Sequence, residues 1–172
     1  LKNTYGLSMD QVRSYARYLD ECYLVREVPR FAFKVSTQSR SPRKVHATDV
    51  GLRNAVAFRF SEDLGRLAET VVHGQLARNE DLSLFYHQGH HECDLIAWRC
   101  DRAVGAYQVC FEDTELPARE TAGLVEACKA LKLTEGTLIT KRVDATETRD
   151  GVAVRMVPLW RWLLEAARGD VA

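Results

Sequence analysis

The chain of 172 residues balances 24 Lys and Arg against 24 Asp and Glu, for a formal net charge of zero, and 46% of its residues are hydrophobic. That length and composition exclude a disordered polymer and leave room for one substantial domain, or for a small domain joined to a medium one. Five cysteines, Cys22, Cys93, Cys100, Cys110 and Cys128, are odd in number, scattered and without a CxxC pair. They suit a reducing compartment, and no run approaches the ~20 apolar residues of a bilayer span, so the expectation is a soluble cytoplasmic protein with no membrane partner.

In chain order, "LKNTYGLSMD" begins without Met and runs straight into a helix signal, so a C-terminal piece of a longer protein is expected. Ser8-Met9-Asp10-Gln11 has the form of a capping box, and Val12, Tyr15, Ala16, Leu19, Cys22 and Tyr23 follow at helical spacing. These predict a helix over about 9–24 with one face in a core. Phe31, Phe33 and Val35 alternate like a strand, Ser41-Pro42 breaks the chain, and Val45 begins another strand. From Arg26 to Arg53 seven Lys and Arg side chains stand against Glu27 and Asp49, so the basic charge is concentrated in the first third. A helix followed by a basic hairpin reads as the tail of a winged-helix-like segment.

Ser61 is a good N-cap for a helix carrying Leu64, Leu67, Ala68, Val71, Val72 and Leu76 to about Arg78. Strands are predicted at 82–87, 92–98 and 104–111. A helix follows around Leu124–Leu131, then strands at 137–140 and 152–157 and a helix opened by Pro158.

The stretch "GHHECDLIAWRCDRAVGAYQVC" places Glu92 and Asp94 on one strand and Gln108 and Cys110 on the next. Strand alternation gives each pair a common face. With Glu69 on the preceding helix, this α-β-β-β-α-β order resembles the restriction-endonuclease-like, PD-(D/E)XK, fold. More closely, "KVHATDVGLRNA", "LGRLAETVVHGQLAR", "HECDLIAW", "YQVC" and "VPLWRWLL" are similar to the C-terminal domain of unknown function 4143 found behind the AAA-type ATPase domain of many bacterial and archaeal ATP-binding proteins. The resemblance implies an α/β fold with a winged-helix-like segment over 1–60 and a nuclease-like domain over 61–172. It also implies an upstream ATPase domain as partner, since the chain has no GxxxxGK[ST] loop of its own.

The resemblance assigns the aspartate-glycine motif to Asp49 and Gly51, the helix glutamate to Glu69, and the E-x-D strand to Glu92 and Asp94. Where that family commonly has Glu-Val-Lys, this chain has Gln108, Val109 and Cys110. No cofactor is therefore expected in this fragment unless the nuclease-like site is functional, in which case Glu69, Asp94 and Gln108 would hold Mg²⁺ or Mn²⁺. Metal-dependent phosphodiester hydrolysis needs hard oxygen ligands and a cation or base to place water, and Cys110 removes the cation. Lys129 or Lys132, on the helix after the third strand, could supply one.

Structural readings stand beside these. Glu69 can flank a helix near Arg66 or His73, Asp49 can cap a turn or helix, and Cys110 can act as a small hydrophobe. His87, His90, His91, Cys93 and Cys100 include good zinc ligands, without the paired spacing of a structural zinc site. Three functions follow. One is a regulatory module on a degenerate nuclease core, with Arg40, Arg43 and Lys44 on an exposed hairpin meeting DNA or RNA phosphates or the ATPase domain. The others are a weak metal-dependent nuclease, and a protein-interaction module that binds no nucleic acid.

Overall fold

The computed structural model of the chain describes residues 6–56, 64–112 and 118–169. Ser8 opens α1 (Met9–Glu21) through the expected capping box: its hydroxyl accepts from the Gln11 amide, and the Gln11 side chain accepts from the Ser8 amide. Two otherwise orphaned donors of the first turn are thereby satisfied. The apolar stripe of α1 does not enter a core as expected. None of its residues is buried, and Met9, Tyr15, Tyr18 and Leu19 stay exposed.

Phe31, Phe33 and Val35 do not form the expected strand either. β1 lies earlier, at Val25–Pro29, and Val35 opens a short helix, α2 (Val35–Arg40). β2 (Arg43–Ala47) then returns antiparallel to β1, with Glu27 opposite Val45. Alternation over a few residues cannot separate a strand from a loop whose aromatic side chains are claimed by tertiary contacts. Here Phe31 packs on Phe85 and Trp98, with ring centroids 5.8 and 4.9 Å apart. The basic hairpin is therefore a two-stranded ribbon with a helix in its connection.

Asp49 caps the next helix, α3 (Val50–Val56), its Oδ1 accepting from the Leu52 amide at 2.6 Å. Gly51 sits so close to that carboxylate that a Cβ would lie 3.1 Å from the same oxygen. α4 (Leu64–Leu76) carries the expected apolar stripe inward through Ala68, Val72 and Leu76; its expected cap, Ser61, lies outside the described residues.

A six-stranded mixed sheet forms the centre. β3 (Ser83–Gln88), β4 (Glu92–Arg99) and β5 (Arg102–Cys110) make an antiparallel meander. α5 (Ala118–Ala130) then crosses to β6 (Glu135–Thr140), which runs parallel to β5. β7 (Ala145–Arg149) and β8 (Val152–Pro158) complete the order β3-β4-β5-β6-β8-β7, with β8 parallel to β6 and β7 antiparallel at the edge. β7 is an element the sequence reading omits. Its signal was present in Asp150-Gly151, whose φ angles of 51° and 82° make the two-residue turn of a hairpin. α6 (Leu159–Arg168) starts directly after Pro158, as expected.

Each sheet face has its own core. Ala68, Val72 and Leu76 of α4 meet Leu95, Tyr107, Ile139, Val157 and the fully buried Trp162 of α6 on one side. Leu124 and Cys128 of α5 cover Ile96, Cys110, Leu138 and Val154 on the other. The ribbon is anchored at β3. The Phe31 amide donates to the Tyr86 carbonyl at 2.7 Å, Arg30 Nη2 donates to the Gln88 carbonyl, and the Tyr86 hydroxyl donates to the Pro42 carbonyl at 2.8 Å. These bonds hold β2 beside the sheet and bring Lys44 to its acidic residues.

Candidate functional site

The β4–β5 ladder runs as far as Leu95 opposite Tyr107, and the side chains of Asp94 and Gln108 take over where it ends. Asp94 Oδ2 accepts from the Val109 amide at 3.0 Å, and Gln108 Oε1 accepts from the Asp94 amide at 3.0 Å. Gln108 Nε2 donates to Glu120 Oε2 of α5 at 2.6 Å. Because one partner of Gln108 is a donor and the other a carboxylate, its amide orientation is fixed. The two strands thus replace lost ladder bonds with reciprocal side-chain bonds, which a buried backbone amide requires.

Above this fork converge Glu69 from α4, Glu92 and Asp94 from β4, and Lys44 from β2. The Lys44 ammonium lies 2.9 Å from Glu69 Oε1, 2.7 Å from Glu92 Oε1 and 2.9 Å from Asp94 Oδ1. It also stands 5.7 Å from the centre of the Tyr86 ring, within cation–π range. Only 20% of its side chain is exposed, so Lys44 is a shared counter-ion rather than an open phosphate contact. Burial alone would lower its pKa. The attraction of Asp94 and Glu69, with hydrogen bonds to Glu92 and Asp94, outweighs burial and holds the ammonium charged well above the ordinary lysine range. Three carboxylates exceed one ammonium, and the surplus shows at Glu69. Burial first and Asp94 second raise its pKa, against the pull of Lys44.

Two buried histidines stand beside the cluster. His46, two residues after Lys44 on the same face of β2, stacks on His73 of α4 with ring centroids 4.6 Å apart. Burial, then His73 and Lys44, push the His46 pKa down to about 3; burial, then Arg26, push His73 down to about 4. Both rings are therefore neutral at pH 7. Since unfolded histidine titrates near 6.5, the unfolded chain takes up these protons first. Stability is fully present above about pH 6.5 and is expected to fall toward pH 4 by about 1.4 kcal/mol per pH unit for each histidine. Replacing His73 by Phe should reduce the slope of urea midpoint against pH between 6.5 and 5 by about one proton's worth. An unchanged slope would mean that His73 is already protonated in the folded protein.

The other residues singled out from the sequence are placed as follows. Cys110 is buried in the core layer under α5, as a small hydrophobe. Arg43 pairs with Glu27 at 2.6 Å, and Arg40 is exposed at the end of α2. Lys129 pairs with Asp150 at 3.1 Å, and Lys132 lies in the turn after α5 at φ 58°. Neither lines the clefts around Asp94. His90 and His91 occupy the β3–β4 turn, where their amides donate to Glu126 at 2.8 and 3.0 Å, while Cys93 is buried and Cys100 exposed. Among the described residues no three His, Cys, Asp or Glu side chains are grouped to hold a metal ion.

The sequence reading missed His46, His73 and Glu120, and it gave Lys44 to the wrong surface. The alternation in "RKVHA" carried the signal: Arg43 and Val45 face out, whereas Lys44 and His46 take the inward phase. A strand that turns its polar residues inward needs a polar site to receive them.

A cleft of about 570 Å³ lined by Lys44, His46, Arg53, Glu69, Glu92 and Asp94 opens on this cluster, and a second of about 490 Å³ opens by Gln108, Arg119 and Glu120. A family model described as a domain of unknown function (DUF8612) matches residues 1–63, the stretch that supplies Lys44 and His46. No curated protein and no solved structure matches the chain.

Proposed function

We propose that this chain is a non-hydrolytic binding and regulatory module built on a restriction-endonuclease-like core. The observation that carries this reading is the Lys44 ammonium at the meeting point of Glu69, Glu92 and Asp94. The carboxylate oxygens that would coordinate Mg²⁺ or Mn²⁺ are engaged with that ammonium, and the Gln108 carbonyl is turned onto the Asp94 amide. The residues present therefore do not fit the expected hard-metal site. The meander followed by a parallel crossover, with acids at the strand fork, supports the nuclease-like ancestry that the sequence resemblance suggests.

A partner would meet the ribbon connection, where Phe33 and Val35 are 80% and 78% exposed beside Lys34 and Arg40. Mixed aromatic and cationic surface of this kind suits nucleic acid, and the upstream AAA-type ATPase domain implied by the resemblance is the other reading of the same patch. A second function competes on one observation. Lys44, 2.9 Å from Asp94, could supply the cation lost at Cys110 and so support weak metal-dependent hydrolysis.

Incubation of DNA and RNA with parent and Asp94→Ala protein, in Mg²⁺ or Mn²⁺, separates them. Equal and negligible cleavage is expected; cleavage by the parent that Asp94→Ala abolishes overturns the non-hydrolytic reading. Duplex binding at two salt concentrations, with Lys34→Ala and Arg40→Ala together, decides between partners. Salt-sensitive binding lost in the double variant means nucleic acid, and none in the parent leaves a protein partner.

A further inference from the structure

At the opposite end of α4 and β4 from the acid cluster, a cleft of about 430 Å³ gathers two arginines and no carboxylate. Arg78 follows α4, Arg99 ends β4, and Leu76, Leu82, Ala166 and Gly169 also line it. Leu76 lies seven residues along α4 from Glu69, and Arg99 five along β4 from Asp94, or about 10 and 16 Å. The cleft is therefore a separate place on the molecule. Arg43 and Arg155 each face a carboxylate, Glu27 and Glu165. Arg78 and Arg99 do not: among the described residues neither side chain makes an ion pair or a hydrogen bond, and Arg99 Nε is buried without a partner. Glu80, Asp81 and Asp101 are their neighbours in sequence, yet none of the three lines the cleft. The carbonyl ends of α4 and α6 do approach it, already engaged by backbone amides. The Arg78 amide donates to the Gln75 carbonyl at 3.4 Å, Asn79 to Leu76 at 3.1 Å and Gly169 to Ala166 at 3.1 Å. Two helix ends carry roughly half a negative charge each, against two full guanidinium charges, so the cleft stays net positive. A half-buried cation such as Arg99, with no counter-charge in the fold, draws one from solution.

We propose that this cleft binds a small phosphate monoester, its phosphate group held by Arg78 and Arg99 and its organic part set against Leu76, Leu82 and Ala166. A guanidinium presents its donors as a planar fork that matches phosphate oxygens, and two of them suit a group that carries nearly two negative charges at pH 7. A carboxylate answers only one of the two charges. The volume is that of a small-molecule site, and the apolar wall offers the organic part a surface that a nucleic-acid backbone does not use. Arg78 continues α4 and Arg99 belongs to β4, so the ligand would tie together the elements that carry Glu69 and Asp94. This site lies apart from the partner surface on the ribbon.

Phenyl phosphate serves as the probe, titrated by calorimetry into the whole chain, with benzoate as the monoanionic control. Phenyl phosphate is expected to bind at least about fivefold more tightly than benzoate, and to lose about fourfold in affinity from pH 7.5 to 5.5 as its second proton returns near pH 6. No His, Cys, Asp or Glu lines the cleft, so the ligand carries that dependence. Arg99→Gln should weaken binding by at least about tenfold, and Arg78→Gln, at a more exposed position, by at least about threefold. Arg99→Lys keeps the charge and loses the fork, so it should recover only part of the loss. The amide resonances of Leu82 and Gly169 should shift on binding.

No binding of phenyl phosphate overturns the proposal, and so does binding that ignores both arginine variants or that benzoate matches. Shifts confined to Asp94 and Gln108 would place the ligand at the acid cluster and overturn it too. Binding of a 5′-phosphorylated oligonucleotide through Arg78 and Arg99, without binding of phenyl phosphate, would assign the cleft to nucleic acid instead. If circular dichroism shows Arg99→Gln unfolded, Arg78→Gln decides the question by itself. Neither cleavage nor binding at the ribbon enters this readout, so its outcome is separate from the fate of the non-hydrolytic reading.

Discussion

Replacing Lys44 by methionine is expected to destabilise the fold by about 3 kcal/mol at pH 7 in the absence of divalent metal, the scale for breaking a buried charge network by removing one partner. The side chain is mostly buried and its ammonium is shared by Glu69, Glu92 and Asp94. Methionine retains the stem but leaves three carboxylates facing one another without a cation. For a chain of this size the melting temperature should fall by about 6–12 °C.

The pH dependence separates this cause from simple loss of packing. Without Lys44, the folded-state pKa of Glu69, already raised by burial and by Asp94, loses the one pull that lowers it and rises further, so the folded form binds protons more readily as pH falls. The deficit relative to the parent should shrink between pH 7 and 5, read as converging urea midpoints. A deficit independent of pH would assign it to packing. A variant as stable as the parent would put the neutralising charge elsewhere, with Arg66 in the same cleft as the alternative.

The substitution Gly123→Ala should cost about 3 kcal/mol or more, at the upper end of overpacking effects. Gly123 lies on α5 against the backbone of β4, and an added Cβ would stand 2.1 Å from the Glu92 carbonyl oxygen. A backbone atom cannot rotate away as a side chain can, so helix and strand must separate. That movement carries Glu92 and the adjoining Asp94 away from Lys44, and the loss extends from packing to the ion network. Gly74→Ala on α4 is the control, because its Cβ would meet nothing within 4 Å. There the same change should stabilise by about 0.5–1 kcal/mol through helix propensity. Thermal melts of the two variants should therefore move in opposite directions. A small or positive shift for Gly123→Ala would mean that α5 can stand farther from β4 than it does here.

Local rules made much of the architecture legible. The Ser8–Gln11 box, the Asp49 cap, the apolar stripe of α4 and the start after Pro158 each rest on neighbours within one or two turns. The strands at β3, β4, β5, β6 and β8 were readable because buried apolar runs and turn residues are local too. Phe31–Val35 misled because its aromatic partners lie on β3 and β4, more than fifty residues away. The α1 stripe misled because amphipathicity marks a face that can be covered without saying whether this chain covers it.

At the candidate site the sequence by itself determined the inventory: acids at Glu69, Glu92 and Asp94, a glutamine and a cysteine at 108 and 110 on the next strand, and an excess of basic residues in the first third. Tertiary structure alone decided what those groups do. Lys44 and Asp94 are fifty positions apart, and they meet because the ribbon is tied to β3 through Phe31, Arg30 and Tyr86. The β4–β5 ladder stops at Leu95 and Tyr107, so Asp94 and Gln108 serve each other's strands instead of pointing jointly at a metal. Periodicity fixes the face on which a side chain lies. Which charge it finds there depends on where distant strands end and how they dock, because Coulomb and hydrogen-bond energies act across a few ångström of space, irrespective of distance along the chain.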